Sequence, residues 1–302
     1  MLIVGGNDGE NDLKTSELFP QKPTCTSNVP NLPERISSQP SLILTQDQKL
    51  LLCGGSKNEQ TCLVLKDNTW RNHSRLNQKR TYASAVTMEK GVFLFGGRKS
   101  PNTWEWLPNG SSNWIPGPDR IQNPGYHSGC AVKLSGSNVA LIGGGSSKSE
   151  GKKLLTYNTD TGEWTPYENV LSQGRRDFGC ALYKEKIIIA GGFDGESQIG
   201  STELIDIRDL SKSTSAGYLN KDRSLHGIVV AHHASKLQVM AFGGYNYIAV
   251  KKNSKWVDEI VYYDSVEIWN DAKGIWERSK DTLKIRRDNF GYLSIPTELV
   301  CS

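Results

Sequence analysis

The chain has 302 residues, enough for two average domains or one large β-domain, and 36% of them are apolar, with eight tryptophans, so a sizeable core can form. Lys and Arg exceed Asp and Glu by 36 − 32 = 4, a mild excess that points to neither nucleic acid nor a membrane surface. The absence of any apolar run of about 18 residues argues against a membrane-spanning helix, and the opening residues lack the basic segment and long apolar stretch expected of a signal peptide.

Residues 1–10, MLIVGGNDGE, read as a short buried strand ended by two glycines and a polar turn. The same pattern returns as LLLCGG (50–55), VFLFGG (92–97), VALIGG (139–144), IIIAGG (187–192) and VMAFGG (239–244). The first glycines, Gly5, Gly54, Gly96, Gly143, Gly191 and Gly243, are spaced by 49, 42, 47, 48 and 52 residues, by subtraction of their numbers. A repeat of about 50 residues built from short strands predicts a propeller.

Each unit is expected to hold four strands, here A to D from the axis outward. Strand A is rich in small residues because six copies crowd the axis: RTYASAV (80–86), YHSGCAV (126–132), RDFGCAL (176–182) and RSLHGIVV (223–230). Strand B is continuously apolar because neighbouring blades cover both its faces. The diglycine ends it where the chain turns without room for a Cβ. Strand C follows a polar loop, as in KLLTYNT (153–159), STELIDI (201–207) and DSVEIWN (264–270). A hairpin turn then brings in strand D through Trp70, Trp114, Trp164 or Trp276. Blade 1 lacks this tryptophan, and in blade 5 Tyr218 is expected in its place. Blade 6 carries an insertion near residues 246–260.

The chain opens on strand B, so strand A of the first blade must come from elsewhere. Residues 286–295, RRDNFGYLSI, match the strand A pattern of 175–182, RRDFGCAL, and no diglycine follows them. The C-terminal strand is therefore expected to pair with the N-terminal one and close the ring. The expected division is a single propeller over 1–302. Its blades are 1–36 with 286–302, then 37–78, 79–122, 123–172, 173–221 and 222–285.

The diglycines, the strand that follows them and the spaced tryptophans resemble the kelch repeat over essentially the whole chain. The closure resembles that of the kelch domains of BTB–kelch proteins. This resemblance implies an all-β six-bladed propeller acting as a non-enzymatic protein-interaction module. Such a module would be the substrate receptor of a ubiquitin-ligase adaptor or a cytoskeletal scaffold, monomeric in its propeller, with a protein or peptide partner and no cofactor. The face formed by the B–C loops and the D–A entrances is then the binding face, with Asn7, Ser56, Arg98, Phe193, Tyr245 and Tyr247 from the loops and Thr81, Tyr126, Arg176, Ser224 and Asp288 from the entrances. Arg80, Arg175, Arg223 and Arg287 recur at one repeat position and are expected around one mouth of the channel, where they would favour an acidic peptide.

The enzymatic alternative is a secreted carbohydrate-active propeller of sialidase, epimerase or galactose-oxidase type. TDTGEW (159–164) resembles a sialidase Asp-box once only, and the Tyr–His–Cys set of a galactose-oxidase copper site cannot be matched. The six cysteines, Cys25, Cys53, Cys62, Cys130, Cys180 and Cys301, contain no C-x-x-C pair. They are expected to be mostly free buried thiols, consistent with a cytoplasmic location.

Overall fold

The computed structural model describes residues 1–20, 29–123, 125–233, 236–252, 255–296 and 299. Its strands form a ring of six antiparallel sheets and one separate two-stranded hairpin. Blade 1 begins with β1 (Leu2–Val4) and β2 (Ser16–Leu18). Blade 2 comprises β3 (Ser41–Leu44), β4 (Leu50–Cys53), β5 (Thr61–Lys66) and β6 (Thr69–Arg75), and blade 3 comprises β7 (Ser84–Met88), β8 (Gly91–Phe95), β9 (Trp104–Pro108) and β10 (Ile115–Pro116). Blade 4 holds β11 (Cys130–Lys133), β12 (Asn138–Ile142), β13 (Leu154–Asn158) and β14 (Trp164–Tyr167), and blade 5 holds β15 (Gly179–Tyr183), β16 (Lys186–Ala190), β17 (Ser201–Asp206) and β18 (Asp209–Tyr218). In blade 6, β19 (Gly227–His233) and β20 (Lys236–Phe242) are followed by a separate hairpin, β21 (Tyr245–Lys252) and β22 (Lys255–Tyr262). The blade is completed by β23 (Ser265–Asn270) and β24 (Ile275–Thr282).

The last strand, β25 (Gly291–Leu293), joins the blade 1 sheet in the order β2-β1-β25. Leu2 lies opposite Leu293, Ile3 opposite Tyr292 and Val4 opposite Gly291. The two ends of the chain thus cover each other's strand edges, as the sequence requires.

The B strands are buried along most of their length because each is sandwiched between blades: Leu50–Cys53 and Gly91–Phe95 are buried throughout. The core is accordingly a set of clusters between blades. Leu2 and Val4 pack with Leu42, Leu52 and Trp70, and Val139, Leu141 and Tyr157 pack with Phe93, Phe95 and Trp104. Tryptophans tie one blade to the one before. The Trp114 indole donates to Ser74 Oγ at 3.1 Å, and that of Trp276 to Thr202 Oγ1 at 2.8 Å. Tyr218 does not play this part in blade 5. It ends β18 with 69% of its surface exposed, and the adjacent Leu219 is buried instead.

The four described cysteines are paired, which corrects the expectation of free thiols. Cys53 and Cys62 are register partners on adjacent strands β4 and β5, with Cα atoms 4.1 Å apart. Cys130 of β11 is bonded to Cys180 of β15, with Cα atoms 6.3 Å apart, joining the innermost strands of blades 4 and 5. Neighbouring A strands converge toward the axis, and this brings the two sulfurs together. Cys25 and Cys301 lie outside the described residues.

Candidate functional site: one mouth of the channel

The repeat builds this mouth from backbone outward. Just before each A strand one residue adopts positive φ: Ser38, Tyr82, Ser128, Asp177, Leu225 and Asn289, at 53–63°. These residues are stitched into a closed ring. The amide of Tyr82 donates to Ser38 O, Ser128 to Tyr82, Asp177 to Ser128, Leu225 to Asp177 and Asn289 to Leu225, and Gln39 returns to Asn289 O. All six are non-glycine residues in a sparsely populated conformation, and the ring of hydrogen bonds holds them there.

The residue before each of these, Ser37, Thr81, His127, Arg176, Ser224 or Asp288, offers its carbonyl to the amide that follows the diglycine of its own blade. The donors are Ser56, Arg98, Gly145, Phe193, Tyr245 and Asn7. The second glycine allows this approach. A Cβ on Gly192 would lie 2.7 Å from Arg176 O, and one on Gly97 would lie 2.8 Å from Thr81 O. Concentric rings of side chains therefore surround the axis, and the expected residues Thr81, Arg98, Arg176, Phe193, Ser224, Tyr245 and Asp288 all belong to them.

Two expectations are corrected here. Tyr126 is not at the mouth. It is 1% exposed, and its hydroxyl lies 3.2 Å from Ser84 Oγ and donates to Cys130 O at 2.9 Å. The positive-φ residue of blade 4 is Ser128, so His127 takes the place that Arg176 holds in blade 5. Arg80, Arg175, Arg223 and Arg287 are not at the mouth either, being 0–2% exposed. Each turns inward to a glutamate on strand C: Arg80 to Glu105 (2.7 Å), Arg175 to Glu203 (2.8 Å), Arg223 to Glu267 (2.6 Å) and Arg287 to Glu17 (3.2 Å). Each also donates to the carbonyl of the first glycine of the diglycine, Gly96, Gly191, Gly243 or Gly5. These arginines have no surface to offer a partner. Burial lowers the pKa of all four and the paired glutamate opposes it.

Arg98 and Arg176 remain at the mouth. The Arg98 guanidinium stacks on Tyr82, 4.1 Å from the ring centroid, and that of Arg176 on Phe193 at 4.9 Å. Arg176 Nε is 3.5 Å from Asp177 Oδ2, and among the described residues Arg98 forms no ion pair. Both guanidiniums act on His127, whose ring nitrogens lie 3.2 Å from Ser128 Oγ and 3.3 Å from Ser146 Oγ. Burial, then the charges of Arg98 and Arg176, push His127 down to about 4, so it is neutral at pH 7.

The acidic groups behave in the opposite way. Burial, with Asp12 and Asp177 adding like charge, pushes Asp288 up to about 7, and burial raises Asp177 as well. Asp177 Oδ1, Asp288 Oδ1, Asn289 Oδ1 and Ser224 Oγ are buried polar atoms of these rings without a hydrogen-bond partner. Such orphans are uncommon and mark places where a ligand or water completes the bonding. Tyr245 and Tyr262 close this side, with ring centroids 6.0 Å apart, and both feel the Asp288 charge. Sequence reasoning missed His127 and Tyr82. The "RRD" of 175–177 and 286–288 was a usable signal, because the aspartate beside the buried arginine reaches the mouth.

No protein-family model matches the chain, and no curated protein matches it. Its fold is shared with solved structures. YjhT superposes with a TM-score of 0.71 at 14% identity, over 86% of this chain and 88% of YjhT. A fungal alcohol oxidase of the AA5 family, solved in complex with copper, superposes with a TM-score of 0.62 at 17% identity, over 82% of this chain and 54% of the oxidase. The six-bladed propeller is thereby shared with an enzyme, which overturns the expectation that this architecture marks a non-enzymatic module. Neither likeness supports a ubiquitin-ligase adaptor.

Among the described residues no three His, Cys, Asp or Glu side chains converge as a ligand set. The described cysteines are tied up in disulfides, and His226 is wholly enclosed beside Arg223.

Proposed function

We propose that the chain is a carbohydrate-active propeller enzyme that works by proton transfer on an acidic sugar bound at this mouth. One observation carries the reading: two buried carboxylates with partnerless oxygens share the mouth with two stacked arginines and a neutral histidine. Arg98 and Arg176 suit the sugar's carboxylate, because planar guanidiniums recognise carboxylates bidentately. Asp288, poised near neutrality, is suited to give or take a proton at a sugar oxygen, and neutral His127 to hydrogen-bond a sugar hydroxyl. Tyr82, Tyr245 and Tyr262 supply flat apolar surface. The sequence led to an acidic peptide held by four arginines; this reading replaces it with an acidic sugar held by Arg98 and Arg176. The kelch-type identity of the repeats remains part of the proposal, supported by the diglycine spacing. The two disulfides support an oxidising compartment.

The test is binding and turnover of N-acetylneuraminate, glucuronate and galacturonate, followed by calorimetry and by NMR exchange between anomers. Wild type should bind at least one and speed its interconversion. Asp288→Asn should keep binding and lose the acceleration, whereas Arg98→Ala with Arg176→Ala should lose binding. The reading fails if none of the three sugars binds, or if Asp288→Asn turns over as wild type.

A further inference from the structure

The insertion in blade 6 forms a two-stranded ribbon rooted in the mouth. Tyr245, the first residue of β21, exchanges backbone hydrogen bonds with Ser224. Tyr262, the last residue of β22, fits against the first blade's loop so closely that a Cβ on Gly9 would lie 2.7 Å from its ring. Directly opposed residues of antiparallel strands share a face, and alternate residues return to it. The register places Tyr245 opposite Tyr262, Tyr247 opposite Ile260, Ala249 opposite Asp258 and Lys251 opposite Trp256. One face thus carries Tyr245 with Tyr262 at the root, then Tyr247 with Ile260, the exposed pair Ala249 and Asp258, and Lys251 with Trp256 at the tip. At the root this face meets the mouth through Tyr245, whose backbone pairs with Ser224 and whose ring lies 6.0 Å from that of Tyr262. Further out it is bare: Tyr247 is 52% exposed, Ile260 46% and Trp256 71%.

Large apolar side chains left in water on a built strand face mark a binding surface. This surface is continuous with the mouth and runs on from Tyr247 for about 13 Å to the Lys251–Trp256 pair, at about 3.4 Å per residue. From that continuity we infer that the ribbon is an extended subsite that holds the distal sugar units of an acidic oligosaccharide whose terminal unit sits in the mouth. The stripe offers flat or branched apolar surface to the CH faces of successive sugars, and Lys251 beside Trp256 offers a donor to their hydroxyls. This deepens the proposed function and rests on it: the mouth selects the charged terminal sugar, and the ribbon selects chain length.

The experiment compares N-acetylneuraminate with a sialylated trisaccharide, and galacturonate with its tetramer, by calorimetry and by tryptophan fluorescence. Wild type should bind an oligomer at least fivefold more tightly than its monomer and shift its tryptophan emission on doing so. Trp256→Ala with Ile260→Ala removes only exposed side chains. It should abolish the oligomer's advantage and the emission shift while leaving monomer affinity as in wild type. The inference is overturned if wild type binds monomer and oligomer equally, or if the double variant keeps the oligomer's advantage. In those cases monomer binding still upholds the mouth. If neither monomer nor oligomer binds, the mouth reading fails and the subsite with it.

Discussion

Arg223 and Glu267 meet 2.6 Å apart in the interior of blade 6, both side chains essentially shut off from water. The second glutamate oxygen accepts from the backbone and side-chain amides of Asn220, at 2.6 and 2.8 Å. The pair therefore fastens the incoming linker to strand C. The same arrangement recurs in blades 1, 3 and 5. Blades 2 and 4 place Ile36 and Tyr126 at the arginine position and Leu63 and Leu155 at the glutamate position, so the pair changes as a unit.

Breaking one member of such a pair should be costly and changing both should cost less. Glu203→Leu alone leaves Arg175 charged and buried, and should destabilise by about 3–5 kcal/mol. Arg175→Ile with Glu203→Leu copies blade 2 and should recover more than half of that loss. Urea unfolding of the single and double variants measures both, and additive losses would show that the pair does not act as a unit.

The ring closure makes a second prediction. Deleting residues 286–302 removes Arg287 from Glu17 and strips β25 from β1. The exposed strand edge should cause aggregation or loss of cooperative unfolding. Sedimentation and a thermal melt read this directly, and a monomer with the wild-type melting curve would contradict closure.

Peptide mapping without reductant should find Cys53 linked to Cys62 and Cys130 linked to Cys180. The second bridge joins two blades across a sequence separation of 50 residues. Replacing Cys130 and Cys180 with alanine should lower stability by about 2–4 kcal/mol. Finding free thiols at these positions in native protein would remove the support for an oxidising compartment.

Asp288 should give a defined pH dependence. Its folded pKa, about 7, lies above the roughly 3.9 of an unfolded aspartate. The native state then binds the extra proton, so this group's contribution is fully present below about pH 4 and is lost as pH rises through 7. His127 works with the opposite sign: its stability is present above about 6.5 and lost as pH falls toward 4. The two nearly cancel in wild type. Subtracting the stability of Asp288→Asn isolates the aspartate. The difference should fall by up to about 1.4 kcal/mol per pH unit between 4 and 7. A flat difference would show that Asp288 titrates normally.

Much of this protein was legible as sequence. The diglycine period sets six blades, the small-residue strand at 286–295 announces closure, and four arginines recur at one repeat position. These features are local, because each follows from what one strand must pack against. The site depended on facts that are not local. Whether an arginine enters the core or the mouth is set by the positive φ of the residue two places later. That geometry is held by a hydrogen-bonded ring running through all six blades. It turns Arg175 inward and leaves Arg176 and Asp177 at the mouth, and it puts His127 rather than Tyr126 there. The cysteine pairings have the same origin: Cys53 and Cys62 meet through strand register, and Cys130 and Cys180 meet because neighbouring blades converge on the axis. Spacing in the chain specifies the repeat, and only the closed ring brings together side chains from different repeats.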